Sequence, residues 1–84
     1  MLTKRDRTAM YKGLQELRRI RIANVQAAAR SAGGVAALAH LCGVSSAFLY
    51  QIAGEHPVRN IGEKLARKLE QDLGVPAGWL DSRH

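Results

Sequence analysis

The chain has a single cysteine, Cys42, which excludes whole classes of small protein at once. One thiol forms no internal disulfide and completes no four-cysteine zinc site. No apolar run in the sequence approaches the roughly 20 residues that a membrane-spanning helix needs. The basic N-terminus is also not followed by the long apolar stretch of a secretory signal. We therefore expect a soluble protein of the cytoplasm.

Sequence patterns typical of β-strands are also scarce in this chain. β-branched residues are few and nowhere alternate with polar residues, although half-buried strands need that alternation. Alanine and leucine dominate, with other good helix formers between them. The only prolines, Pro57 and Pro76, lie outside the stretches with helical spacing. The 84 residues therefore predict one small all-α domain.

The positive charge is concentrated in one part of the chain. Residues 1–30 carry eight basic and two acidic side chains, a net charge of +6, whereas residues 31–84 carry five of each. A basic segment beside a neutral body suits a polyanion such as DNA, RNA or an acidic membrane surface. The alternative is a solvated segment that only aids solubility. Charge alone favours nucleic acid.

The last third contains the clearest helix pattern. Its apolar residues recur every four positions, at Ile61, Leu65, Leu69 and Leu73. Asn60 is predicted to cap this helix, with Glu63 completing a capping box, and Gly74 is predicted to end it. The following Trp79 and Leu80 are expected to pack on the core, or else to meet a partner.

Two shorter helices are predicted before it. Apolar positions at helical spacing mark the first, at Val35, Leu38, Ala39 and Cys42. The second follows Ser45 as its N-cap, and Gly54 ends it. Gly43 tolerates the left-handed backbone of a tight turn between them, and Ala39 leaves room for a steep crossing. Residues 35–54 therefore predict a helix-turn-helix unit, the alternative being an ordinary helical hairpin.

The first third predicts two helices rather than one. Met10, Leu14 and Leu17 mark the first, which we expect to end near residue 18. The second starts near residue 21, and its apolar positions are Val25, Ala28, Ala29 and Ala32. One continuous helix would put Arg18 and Arg21 on the same face as these apolar residues. We therefore expect a break or bend near residues 19–22.

These motifs resemble a known family. The segments GGVAALAHLCGVSSAFLYQIAG and RNIGEKLARKLEQDLGVPAGWLD are similar to the lambda-repressor-like, Cro/repressor-type DNA-binding domains of phage and prophage regulators. The resemblance covers about residues 21–81 and implies a compact domain of four or five helices that binds operator DNA, usually as a two-fold dimer. Residues 1–20 are then a basic, partly helical N-terminal extension, and residues 21–84 are the DNA-binding domain. The chain is expected to be a short Cro-like regulator or a fragment of a longer repressor.

The resemblance also implies which side chains meet the bases. In such domains the second helix of the unit enters the major groove, and the groove-facing positions of this chain are Ser45, Ser46, Ala47, Tyr50 and Gln51. Gln51 can bond an adenine edge through two hydrogen bonds, and Ala47 can pack on a thymine methyl group. Tyr50 is expected to bond a phosphate or stack, unless it fills the core.

Phosphate binding is where the chain departs from the family. The family often has a glutamine at the start of the first helix of the unit, where its side chain holds a phosphate. Val35 stands there in this chain, so only the backbone amides of that helix start remain for a phosphate. The predicted reading helix has no lysine or arginine either. Other phosphate contacts are expected from the basic N-terminal segment and from Arg59, Asn60, Lys64 and Arg67.

The leading hypothesis is a sequence-specific regulator of transcription, a phage-type repressor, that binds double-stranded DNA at a pseudo-palindromic operator as a homodimer. It would act at the bacterial nucleoid. The alternative is a protein-interaction module, such as an antitoxin or anti-repressor, with the N-terminal segment as the partner-binding helix. RNA binding is less favoured, because aromatic residues are only 5% of the chain and supply no stacking platform.

No enzyme activity, cofactor or metal is expected. The acidic residues are scattered, with no pairing suited to general acid–base catalysis. His40 and Cys42 lie two residues apart on a predicted helix, so their side chains point to different sides and cannot share a metal.

Overall fold

The computed structural model describes residues 3–84, so residues 1–2 of the predicted extension lie outside the described part of the chain. Four helices occur in it, α1 (Lys4–Ala32), α2 (Val35–Cys42), α3 (Ser46–Ala53) and α4 (Glu63–Leu73). A short 3-10 turn (Trp79–Asp81) follows them, and no strand occurs within residues 3–84. The predicted all-α class is confirmed.

The core forms where α1 packs against α2, α3 and the 3-10 turn. Its largest fully buried apolar side chains come from every one of these elements, from α4 and from the segment before α4: Val25, Leu38, Leu49, Ile52, Ile61, Leu69 and Leu80. Leu80 is therefore in the core as expected, and Trp79 packs against its edge. The buried Asn24 side chain fixes this C-terminal segment to α1, since its Nδ2 donates to the backbone oxygens of Leu80 and Ser82.

The prediction of two separate helices in the first third is wrong, because α1 runs for 29 residues with no break near residues 19–22. Arg21 does lie on the buried face, with 3% of its surface exposed. Its charge is tolerated there because Asp81 and Glu63 each lie 2.7 Å from its guanidinium nitrogens. The boundary that we placed after residue 20 thus falls inside a single helix. Residues 3–14 are all exposed, and burial begins at residue 15.

The start of α4 also differs from the prediction. Gly62, not Asn60, is the N-cap residue, and no side chain bonds the first free amides of the helix. Glu63 does not reach back to form a capping box, since its carboxylate is taken by Arg21. The end of α4 is as predicted, with Gly74 in the left-handed region at φ 72°.

Candidate nucleic-acid interface

Residues 43–45 join α2 to α3 and turn the chain by 119° between them. Gly43 adopts φ 66°, as predicted, and the amide of Val44 donates back to the Ala39 carbonyl at 3.1 Å. A backbone hydrogen bond that returns to the last turn from beyond a left-handed glycine is a common way for a helix to end. Ser45 then caps α3 as predicted, because its Oγ accepts from the Phe48 amide at 3.1 Å. The turn is therefore fixed by backbone bonds at both ends.

Close packing of α2 on α3 depends on a small side chain. Ala39 is 2% exposed and belongs to the same buried cluster as Leu49 and Ile52 of α3. Gly54 ends α3, but in an extended conformation at φ −73° rather than a left-handed one. A Cβ atom at this position would lie 2.5 Å from the Tyr50 carbonyl oxygen, so a glycine is needed for space rather than for its backbone angles.

The outward face of α3 carries all the residues that were predicted to meet bases. Leu49, Ile52 and Ala53 are buried. The opposite side is exposed and consists of Ser45, Ser46, Ala47, Tyr50 and Gln51. Tyr50 is 53% exposed, which excludes the alternative that it fills the core. The face is polar and has no charged side chain of its own.

A cation reaches this face from the loop between α3 and α4. The amides of Val58 and Arg59 donate to the Gln51 carbonyl oxygen at 2.8 and 3.0 Å. Arg59 Nη1 donates to Gln51 Oε1 at 3.3 Å, and its guanidinium carbon lies 5.7 Å from the centre of the half-buried Phe48 ring. Sequence reasoning assigned Arg59 to phosphate binding and did not bring it beside Gln51, because a separation of eight residues across a loop leaves no periodic pattern.

The other predicted backbone contacts are spread over the molecule. Val35 is half-buried at the start of α2, in a depression that also holds Arg30 and Glu55. Asn60 is exposed beside α1 rather than α3, since it lines a depression with Tyr11 and with other α1 residues. Lys64 is exposed in the first turn of α4.

Arg67 is held inside a cluster of charged side chains that sequence reasoning missed. Its Nε lies 2.9 Å from Glu70 Oε1, and its Nη2 lies 2.9 Å from Asp81 Oδ2. Neither contact has the angle of a good hydrogen bond, so these are ion pairs. Glu70 is 1% exposed, and its other oxygen accepts from the Leu80 amide. We therefore leave Arg67 out of the interface, although the sequence suggested it.

The same cluster surrounds Asp81. The hydrogen bond from Arg21 lowers the pKa of the Asp81 carboxyl group below its usual value, partial burial opposes this change, and Arg67 adds to it. The pKa of Arg21 is raised in turn, chiefly by the hydrogen bond to Asp81. Arg21 and Arg67 are thus both paired with acids within the molecule, and Arg21 is too deeply buried to reach a phosphate.

The remaining basic side chains are concentrated on the exposed part of α1. Lys4, Arg5, Arg7 and Lys12 are exposed there, and the helix start is held by a capping box between Thr3 and Asp6. Met10, Tyr11 and Leu14 are exposed on the same segment, at 61%, 58% and 43%. We call residues 3–14 the projecting segment of α1.

Metal ligands do not converge in the described part of the chain. No three His, Cys, Asp or Glu side chains within residues 3–84 meet at a metal-sized site. Burial raises the pKa of the Cys42 thiol. No single described helix is long and apolar enough to cross a membrane; only α2 and α3, taken together as a bent pair, reach the length and composition of a span.

Comparisons with protein-family models, with curated proteins and with solved structures give no match to this chain.

Proposed function

We propose that this chain is a sequence-specific DNA-binding protein that regulates transcription, with α2 and α3 as a helix-turn-helix unit and α3 as the reading helix. One observation carries the proposal: α2 and α3 meet at 119° across a three-residue turn, and α3 turns an uncharged polar face to the outside. Helix-turn-helix units join helices at about 90–120° through a turn of three or four residues that often contains glycine. We also propose that the resemblance of about residues 21–81 to lambda-repressor-like domains reflects a shared mode of DNA binding.

The exposed face of α3 suits base edges better than it suits phosphates. Ser45, Ser46 and Gln51 offer hydrogen bonds, and Ala47 offers a methyl group for a thymine. An α-helix fits the width of the major groove. Leu49 and Ile52 hold the opposite side of α3 in the core, so the polar side is presented as a fixed surface.

Phosphate attraction in this proposal comes mainly from α1. Lys4, Arg5, Arg7 and Lys12 are exposed on the projecting segment, and Asp6 is the one acid there. Phosphate contacts supply sequence-independent affinity, whereas base contacts supply specificity. The chain divides these roles between a basic helix and a neutral one. We therefore propose a binding protein rather than an enzyme, acting at the bacterial nucleoid.

Selection from a pool of random duplexes tests the proposal. Wild-type protein should enrich one sequence, and Gln51→Ala should change the enriched sequence at one position while leaving non-specific binding almost unchanged. Binding is then measured at several salt concentrations, since a protein that displaces counterions loses affinity linearly on a log–log scale. Enrichment of no sequence by the wild-type protein contradicts the proposal.

A second candidate function rests on the projecting segment. Its exposed Met10, Tyr11 and Leu14 lie beside basic residues, which is the composition of an amphipathic helix that docks in the groove of a partner protein. An antitoxin-like or anti-repressor-like module would use this helix, and α3 would then play no part in recognition. In that case Gln51→Ala leaves every interaction of the protein unchanged.

A further inference from the structure

We infer that Gln51 and Arg59 act as one unit that reads a guanine, rather than Gln51 alone reading an adenine. This inference rests on the proposed function, because it names the base that the outward face of α3 prefers at one position. It depends on four contacts between α3 and the loop that follows it.

The backbone fixes the distance between the two residues. The Gln51 carbonyl lies in the last turn of α3, where carbonyl groups have no partner within the helix. The amides of Val58 and Arg59 both donate to it, at 2.8 and 3.0 Å. The loop is therefore attached at residue 51 itself, and Arg59 leaves the backbone beside the Gln51 side chain.

The two side chains are also joined to each other. Arg59 Nη1 donates to Gln51 Oε1 at 3.3 Å. The guanidinium lies over the Phe48 ring at 5.7 Å, within the range of a cation–π contact. Phe48 packs against the core, so the ring is a fixed support. The Arg59 guanidinium thus lies against α3, between the Gln51 amide and the Phe48 ring.

This arrangement decides which hydrogen-bonding groups face outward. A guanidinium has five N–H donors and no acceptor, so only the oxygen of the Gln51 amide can turn toward it. The Gln51 Nε2 group then takes the other position, and the remaining Arg59 N–H groups lie beside it. The donors of Nε2 and of Arg59 therefore outnumber the acceptors of the unit, since Oε1 keeps only the lone pair that Arg59 does not use.

A surface on which donors predominate matches guanine best among the bases of the major groove. Guanine presents two acceptors, N7 and O6, whereas adenine presents one acceptor and one donor, cytosine a donor, and thymine an acceptor beside a methyl group. The bidentate adenine contact expected from the sequence needs Oε1 as an acceptor for the adenine amino group. In this molecule Arg59 already uses one of the two lone pairs of that oxygen and turns it toward the loop, which disfavours the adenine contact.

The test compares four duplexes that differ only at the position whose preference is lost in the Gln51→Ala selection. Wild-type protein should bind the guanine duplex more tightly than the other three by about 5- to 150-fold, the discrimination of one good bidentate contact. Gln51→Ala and Arg59→Ala should each abolish the guanine preference. The double variant should lose no more than either single variant, because the two residues act together.

Lys64→Ala is the matched control, since it removes an exposed cation that the sequence predicts to contact a phosphate. It should weaken binding to all four duplexes by the same factor and keep the guanine preference. Circular dichroism melting checks that each variant folds. Arg59→Gln, which keeps a side chain over Phe48, replaces Arg59→Ala if the latter lowers Tm.

The possible failures are distinguishable. A preference of the wild-type protein for adenine, or a guanine preference that survives in both Arg59 variants, overturns the inference and leaves the proposed function intact. A wild-type protein that enriches no sequence overturns both.

Discussion

Arg21 Nε donates to Asp81 Oδ1 at 2.7 Å, a bond between residues that are 60 positions apart in the chain. It fastens the C-terminal 3-10 turn to the middle of α1. The same guanidinium donates to Glu63 Oε2 and to the Ile61 carbonyl oxygen, so it also holds the start of α4. One buried side chain thus joins three elements around the core. Removing one partner of such a buried charge is costly, because the other charge is left unpaired.

The first prediction concerns the strength of this connection. Asp81→Asn should lower the free energy of unfolding by about 1–3 kcal/mol, because a neutral amide replaces the main partner of a buried cation. This loss of stability is smaller than the usual cost of removing one partner of a buried ion pair. The reason is that Glu63 and the Ile61 carbonyl oxygen still accept hydrogen bonds from Arg21. Urea unfolding followed by circular dichroism measures it. Asp72→Asn is the control: it breaks the exposed Lys68 pair and should cost at most about 1 kcal/mol.

The second prediction concerns pH. The hydrogen bond from Arg21 lowers the pKa of Asp81 in the folded state, so ionised Asp81 stabilises the fold. This contribution is complete above the unfolded value, near 3.8, and is lost as the pH falls through the lower folded value. Wild-type protein should therefore lose more stability than Asp81→Asn between pH 5 and pH 2. Two parallel curves of unfolding free energy against pH contradict this assignment.

The long α1 helix shows what apolar spacing in the sequence cannot predict. The apolar spacings at residues 10–17 and 25–32 are both real, and both lie on one helix. A break was predicted because Arg21 would otherwise be buried, and burial of an unpaired charge is prohibitive. The sequence could not reveal that Asp81 and Glu63 come to it from far along the chain. Glu63 was expected to cap its own helix, a local role that the tertiary ion pair replaces.

The local features of α2 and α3 were predictable for the opposite reason. Gly43 and Ser45 act on backbone groups within a few residues of themselves, so the neighbouring sequence is enough to predict their roles. The alternation of buried and exposed positions along α3 follows in the same way from helical periodicity. The position of Arg59 does not, because it depends on the path of a loop. The exposed face of α3 was therefore predictable from the sequence, but the position of Arg59 beside it was not.

The third prediction concerns the crossing of α2 and α3. Ala39→Leu should destabilise the fold by about 1–3 kcal/mol, because the position is buried and overpacking forces neighbouring side chains apart. Ala36→Leu is the matched control, since it makes the same change at an exposed position of the same helix. Thermal melting of both variants checks the prediction. Equal Tm values for the two would contradict a tight crossing at residue 39, and the helix-turn-helix assignment with it.

The fourth prediction concerns the projecting segment. Neutralising its basic side chains, with Lys4, Arg5, Arg7 and Lys12 all changed to glutamine, should weaken binding to all duplexes by similar factors. The slope of log affinity against log salt should flatten by about 0.9 for every phosphate that the variant no longer neutralises. Glutamine preserves helix propensity, so the helix itself should remain. An unchanged slope would show that the segment does not touch DNA and would favour the partner-protein alternative.

The last prediction concerns two protomers on one site. A single α3 offers about two good base contacts, each worth about 1–3 kcal/mol, whereas specific and non-specific binding typically differ by about 4–10 kcal/mol. Two copies reach that difference, so we expect a dimer on a pseudo-palindrome whose half-sites lie about 10 base pairs apart. Two apolar surfaces are candidates for the contact between protomers: the turn at Trp79 and Leu80, and the face of α1 formed by Met10, Leu14 and Leu17. Burial of Leu80 removes it from one of them, and Met10 and Leu14 remain exposed on the other.

Analytical ultracentrifugation with a selected duplex measures the ratio of protein to DNA. Two protomers per duplex are expected for wild-type protein. Leu14→Ser should reduce the cooperativity of binding without lowering Tm, because the residue is 43% exposed and lies beyond the core. Ala36→Ser, at an exposed position on α2, is the control and should leave cooperativity unchanged. A one-to-one complex on a duplex without inverted symmetry would end the dimer hypothesis, and the missing specificity would then have to come from α1 or from the Arg59 loop.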